Sequence, residues 1–202
     1  MGIKAQKLIE NLRQYGMLKT GEIVELGISK EYLRKLTVQG TVERVSRGLY
    51  TLPNNDYSPM QSIAEVSKQV PKGVICLLSA LRFHGFTTQN PFEVWIAIEN
   101  RSRKPEIKAS AKVRYVRFSQ RAFTDGIQEK RIDQLKVRVY SPAKTVADCF
   151  KYRNKIGLDT ALEALREGWR EKRFTMDELW KYAKVCRVSN VMQPYLESIT
   201  AL

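Results

Sequence analysis

Three short helical patterns run straight into a basic hairpin within the first 53 residues, and few folds accept that order. Residues 3–15 set Ile3, Leu8, Ile9 and Leu12 toward one helical face, leave Lys4, Lys7, Arg13 and Gln14 outside it, and stop at Gly16. A second, short helix carries Ile23, Val24 and Leu26, with Thr20 as its expected N-cap, Glu22 in its first turn and Gly27 permitting a sharp turn behind it. Ser29 then caps a third helix that turns Leu33 and Leu36 inward and ends by Gly40. In 42–52, Val42, Val45, Leu49 and Leu52 alternate imperfectly with polar residues around Ser46-Arg47-Gly48, which reads as two strands and a tight tip. Together these elements predict a winged helix-turn-helix over 1–53.

Such a fold offers its third helix to the major groove of DNA, N-terminal part toward the base edges. Ser29, Lys30, Tyr32, Arg34 and Lys35 are therefore the candidate contacts on that helix. Arg34 is the candidate for reading bases, because its planar fork matches both acceptors of a guanine edge; Lys30 and Lys35, flexible point charges, suit phosphates. On the helix alone these charges read equally well as a solvated face. The hairpin favours DNA, since Arg44 and Arg47 stand beside and on a tip that reaches the backbone or the minor groove, and Tyr50 either packs below it or bonds a phosphate.

The chain has 202 residues, 43% of them hydrophobic, enough for two packed cores, and a formal net charge of +14 that favours an anionic partner. Most of the excess lies outside the winged helix: residues 1–57 hold nine basic against six acidic residues, whereas 101–155 hold sixteen against five. Arg101, Arg103, Lys104, Lys108, Lys112, Arg114 and Arg117 form a candidate secondary basic patch. It would extend a DNA contact along the phosphates, hold another polyanion, or simply be a soluble surface. No stretch approaches the roughly twenty apolar residues of a membrane span, and the N-terminus lacks a signal-peptide pattern, so a cytoplasmic protein without membrane contact is expected. Cys76, Cys149 and Cys186 have no CxxC spacing and His84 is the only histidine, so neither a metal site, a cofactor nor a disulfide is expected.

A polar linker is expected at 53–57, opening a second, α+β domain over 58–202. Ser58 caps its first helix, with Pro59 at the first helical position, Gln61 completing a capping box, and Ile63, Val66 and Val70 inward. A further helix is expected over 74–83, with His84 as a cap or packing residue at its end. Residues 94–98, 113–118 and 135–140 read as strands of one sheet, separated by a basic loop over 100–111 and a polar connection over 119–131. Ser141 and Pro142 open a helix with Val146, Cys149 and Phe150 inward and Lys144, Lys151 and Arg153 outward; three more helices begin near Asp159, Thr175 and Asn190.

The run Glu31 to Leu36, then Gly40 to Tyr50, resembles the N-terminal domain of AbiEi-type antitoxins of type IV toxin-antitoxin systems. Leu78-Ser79-Ala80-Leu81 with His84-Gly85-Phe86, and Val139 to Asp148 with its Pro142-Ala143-Lys144-Thr145 core, are similar to two segments of that family's C-terminal domain. The resemblance implies a DNA-binding antitoxin and transcriptional autorepressor, binding inverted repeats in its own promoter through the winged helix and countering a nucleotidyltransferase toxin through the C-terminal domain without a stable complex. It implies no reaction for Ser79, His84, Pro142, Lys144, Thr145 or Asp148, whose expected role is structural. Two copies on an inverted repeat would place their third helices about one DNA turn apart, and no heptad zipper is present, so monomers that cooperate on DNA are expected. A non-enzyme is expected. The alternatives are a stand-alone regulator without a toxin and a Mg²⁺-dependent nuclease of restriction-type fold, but Glu99 is followed by Asn100-Arg101 where the nuclease pattern needs x-Lys.

Overall fold

The computed structural model describes residues 2–53, 60–87 and 92–200. The chain is α+β and packs as two compact units. The first comprises Met1–Pro71, Glu106–Ala111 and Lys130–Val137; the second comprises Lys72–Pro105, Lys112–Glu129 and Arg138–Leu202.

In the first unit, α1 (Ile3–Tyr15) buries Ala5, Leu8 and Leu12, while Ile3 is 89% exposed. The expected inward position of Ile3 is corrected by helix geometry. At about 100° per residue Ala5, Leu8 and Leu12 fall in one narrow arc, whereas Ile3 lies far round the helix from Leu8. Gly16 leads into β1 (Met17–Lys19), a strand not read from the sequence. It is followed by α2 (Thr20–Glu25), α3 (Lys30–Val38), β2 (Glu43–Ser46) and β3 (Leu49–Thr51). The three strands form one antiparallel sheet in the order β1-β3-β2, with Leu18 opposite Tyr50 and Arg44 opposite the same residue on the other side. Three helices and a three-stranded sheet with a β2–β3 wing make this a winged helix.

Lys19, not Thr20, is the N-cap of α2: the Glu22 carboxylate accepts the Lys19 N–H at 2.6 Å. Thr20 instead ties the helix to the wing, its backbone N–H and hydroxyl both donating to the Gly48 carbonyl at 2.9 and 3.3 Å. Val24 is 44% exposed, and Ile23 alone of this helix is buried. Leu8, Leu12, Leu18, Ile23, Ile28, Leu33, Leu36 and Val42 make the core.

The first unit also contains α4 (Gln61–Gln69), which buries Ile63 and Val66 as expected; Ser58, Pro59 and linker residues 54–57 lie outside the described residues. Glu65 on this helix is fully buried, and both its oxygens accept the Ser110 N–H at 3.1 Å while the Ser110 hydroxyl donates to the same carboxylate. Lys68 pairs with Glu22 at 2.8 Å, and Gln69 donates to Ser46 Oγ and to the Lys108 carbonyl, each at 3.3 Å.

The larger sheet has β4 (Val74–Ile75), β5 (Glu93–Glu99), β6 (Lys112–Phe118), β7 (Ile127–Ile132) and β8 (Leu135–Tyr140), ordered β6-β5-β4-β8-β7. It is mixed: β5 runs parallel to β6 and antiparallel to β4, and β4 runs parallel to β8. Two sequence expectations are corrected here. Residues 74–75 are strand, and the helix, α5 (Leu77–His84), begins only after Cys76; the 119–131 connection contains α6 (Arg121–Thr124) and β7. The C-terminal helices are α7 (Pro142–Lys151), α8 (Arg153–Ile156), α9 (Leu158–Arg170), α10 (Met176–Cys186) and α11 (Ser189–Thr200). Ser141 caps α7 by accepting the Lys144 N–H at 3.4 Å, and Thr175 and Glu178 close a capping box on α10.

Lys144 is the largest departure within these helices. Expected outward, it is fully buried, its Nζ 2.7 and 2.6 Å from the two oxygens of Asp148 and 4.2 Å from the centre of the Tyr140 ring. Helix α7 is covered on all sides from Ala143 to Phe150, so even its polar stripe has no water to face.

Candidate nucleic-acid interface

The turn between α2 and α3 is made possible by Gly27 at φ +84, a backbone state that side chains resist. Ser29 follows, extended, with its hydroxyl accepting the Tyr32 N–H at 3.2 Å, so one candidate contact doubles as the cap that fixes where α3 starts. Leu33 and Leu36 enter the core and thereby roll Lys30, Arg34 and Lys35 to the exposed side. These three cations make no hydrogen bond or ion pair among the described residues. Tyr32 is half-buried, its ring packed on the core.

The wing is shaped by two local irregularities. Gly48 has φ +80, and Val45 is an extra residue between the Arg44–Tyr50 and Ser46–Leu49 pairs. Such a bulge is the physical origin of the imperfect alternation in the sequence. Arg44 is exposed and its Nε donates to the Ser46 carbonyl at 3.3 Å, while Arg47 stands exposed at the tip without a hydrogen-bond or ion-pair partner among the described residues. Tyr50 is half-buried against the core. Glu22 underlies this arrangement: burial pushes its carboxyl up, but the Lys19 N–H and the Lys68 ammonium outweigh that and hold it below the ordinary value.

All seven first-choice residues thus belong to the first unit. The secondary patch is divided. Lys104, Lys112, Arg114 and Arg117 line one cleft of about 390 Å³ on the edge strand β6, together with Glu93 and Tyr115. Arg101 and Arg103 are exposed outside it, and Lys108 belongs to the first unit. Within the cleft most of the charge is engaged. Arg114 and Lys112 both pair with Glu93, whose carboxyl they hold down to about 2. Arg117 donates to the carbonyls of Asn100 and Ser102 at 2.7 and 2.8 Å, and Lys104 lies 5.3 Å from the centre of the Tyr115 ring. Charges already answered by protein partners have less to offer phosphates.

The C-terminal segments singled out in the sequence converge on one strand end. His84, buried, donates to the Tyr140 carbonyl at 2.7 Å, Thr145 donates to the same oxygen at 3.2 Å, and Ser79 accepts the Trp95 N–H at 2.8 Å. Asp148 takes the Cys186 thiol at 3.2 Å besides Lys144; burial pushes its carboxyl up, with Lys144 pulling against that. These contacts lock β8 to α5 and α7.

Residues 6–53 match the model of a family described as a transcriptional regulator, AbiEi antitoxin. That stretch runs from within α1 through the wing. The fold is similar to the crystal structure of the RV2827C protein from Mycobacterium tuberculosis, with a TM-score of 0.60 at 12% identity, covering 91% of this chain and 72% of that one. No curated protein sequence matches the chain. Among the described residues no helix is long and apolar enough to cross a membrane.

Proposed function

We propose that the chain is a DNA-binding antitoxin and autorepressor of a type IV toxin-antitoxin operon. One observation carries the reading: inside a segment similar to AbiEi regulators, Lys30, Arg34, Lys35 and Arg47 are exposed, without hydrogen-bond or ion-pair partners among the described residues, on the two elements a winged helix gives to DNA. In this reading residues 1–53 are the DNA-binding domain. Arg34 reads a guanine edge in the major groove, Lys30, Lys35 and Arg44 take phosphates, Ser29 and Tyr32 approach from the helix start, and Arg47 reaches the minor groove or backbone. Residues 58–202 form the domain that counters a nucleotidyltransferase toxin, without a stable complex. The protein acts in the cytoplasm, as monomers that cooperate on inverted repeats, and carries out no catalysis.

The test is genetic and biochemical at once. A reporter under the DNA immediately upstream of this reading frame should be repressed by the chain and released by the Arg34→Ala, Arg47→Ala double variant. Co-expression with a neighbouring nucleotidyltransferase should restore growth even with that double variant. An unrepressed reporter removes the repressor half, and unrelieved toxicity removes the antitoxin half.

A further inference from the structure

A different basic surface lies wholly within the second unit. The segment after β6, the end of α7 and one stripe of α10 enclose a cleft of about 730 Å³. Its walls carry Arg121, Lys151, Lys181, Lys184 and Arg187 against one carboxylate, Asp177, and one large aromatic, Trp180. Positions 177, 180, 181 and 184 follow the i, i+3, i+4, i+7 spacing, so a single face of α10 supplies most of one wall. Among the described residues only Arg121 of the five cations has an ion pair, with Asp125 at 3.3 Å; Lys151, Lys184 and Arg187 have neither an ion pair nor a side-chain hydrogen bond.

Cations at helix C-termini are often explained by the helix dipole, and Lys151, Lys184 and Arg187 do stand at the ends of α7 and α10. Two such ends offset about one unit of charge between them, Asp177 offsets one more and Asp125, paired with Arg121, a third, which leaves a surplus of about two positive charges around the cleft. The backbone is unusual at the same place, since Gln120 on the rim has φ 43 and ψ −127 without being glycine. A cleft of this volume matches small-molecule sites, whereas a rigid duplex carries its phosphates on a convex surface that cannot enter it. The surplus charge asks for more than one phosphate on one small ligand, and Trp180 offers a surface for a base.

We propose that this cleft binds a nucleoside polyphosphate, with its phosphates at Lys151, Lys184 and Arg187 and its base against Trp180. The experiment titrates the full chain with ATP, AMP, pyrophosphate and a 5′-phosphorylated single-stranded pentanucleotide, followed by calorimetry and tryptophan fluorescence. ATP should bind saturably and more tightly than AMP, and Trp180→Phe should abolish the fluorescence change. Lys184→Gln with Arg187→Asn, a pair chosen because asparagine tolerates the left-handed backbone at 187, should weaken ATP binding about tenfold or more. Lys151→Gln should weaken it independently, and neither variant should alter binding to the chain's upstream duplex. No saturable ATP binding, unchanged affinity in both variants, or binding of the pentanucleotide alone would each overturn the proposal.

Discussion

Lys144 and Asp148 are four residues apart on α7 and fully buried, so removing one partner strands the other's charge away from water. Lys144→Met should therefore cost about 3–5 kcal/mol of unfolding free energy, read from urea midpoints, and adding Asp148→Leu should return much of it. Glu93 gives a prediction of opposite visibility, at the surface. Its carboxyl is held near 2 by Arg114 and Lys112, below an ordinary value of 4.5, so its stabilisation is present above pH 4.5 and lost as the pH falls toward 2. The stability difference between wild type and Glu93→Gln should shrink across that window and be constant above it. A Lys–Asp pair at helical spacing is visible in the sequence. Its burial is not, because the apolar residues of α7 mark one stripe while covering elements close over the rest.

Among the elements, α3 depends on its cap. Ser29→Ala should destabilise the first unit by ~1 kcal/mol and weaken DNA binding with it, because the unpaired Tyr32 N–H lies at the start of the proposed reading helix. Gly126→Ala should destabilise the second unit: its φ is +81, and an added Cβ would stand 2.9 Å from Lys144 Cβ and 3.0 Å from the Tyr182 ring. Thermal unfolding of the two variants checks both. Helices with clear caps and stripes, such as α3, α7 and α10, were legible in the sequence at Ser29, Ser141 and Thr175. The strands that were not legible share a cause. Met17–Lys19 is three residues long, Val74–Ile75 is two, and IQEKRI in β7 is polar at a sheet edge, so each is strand only through the partners it meets. The wing was legible because its glycine turn and its arginines are local signals.

For the whole molecule, a net charge of +14 predicts association with polyanions that weakens steeply with salt, and the two units answer it differently. The basic stretch over 101–117 is a candidate patch in the sequence, which does not say which of its residues share a surface; they divide between units and several are paired internally. The α3 face and the wing tip keep theirs free among the described residues. The most direct measurement is therefore equilibrium binding to a duplex from the chain's own upstream region, from about 50 to 200 mM salt, for wild type, Arg34→Ala and Arg47→Ala. Arg47→Ala should flatten the log–log salt slope by about one, and Arg34→Ala should reduce preference over a scrambled duplex by roughly 1–3 kcal/mol with little change in slope. Wild-type affinity, slope and preference in both variants would contradict a winged helix that grips DNA through α3 and its wing.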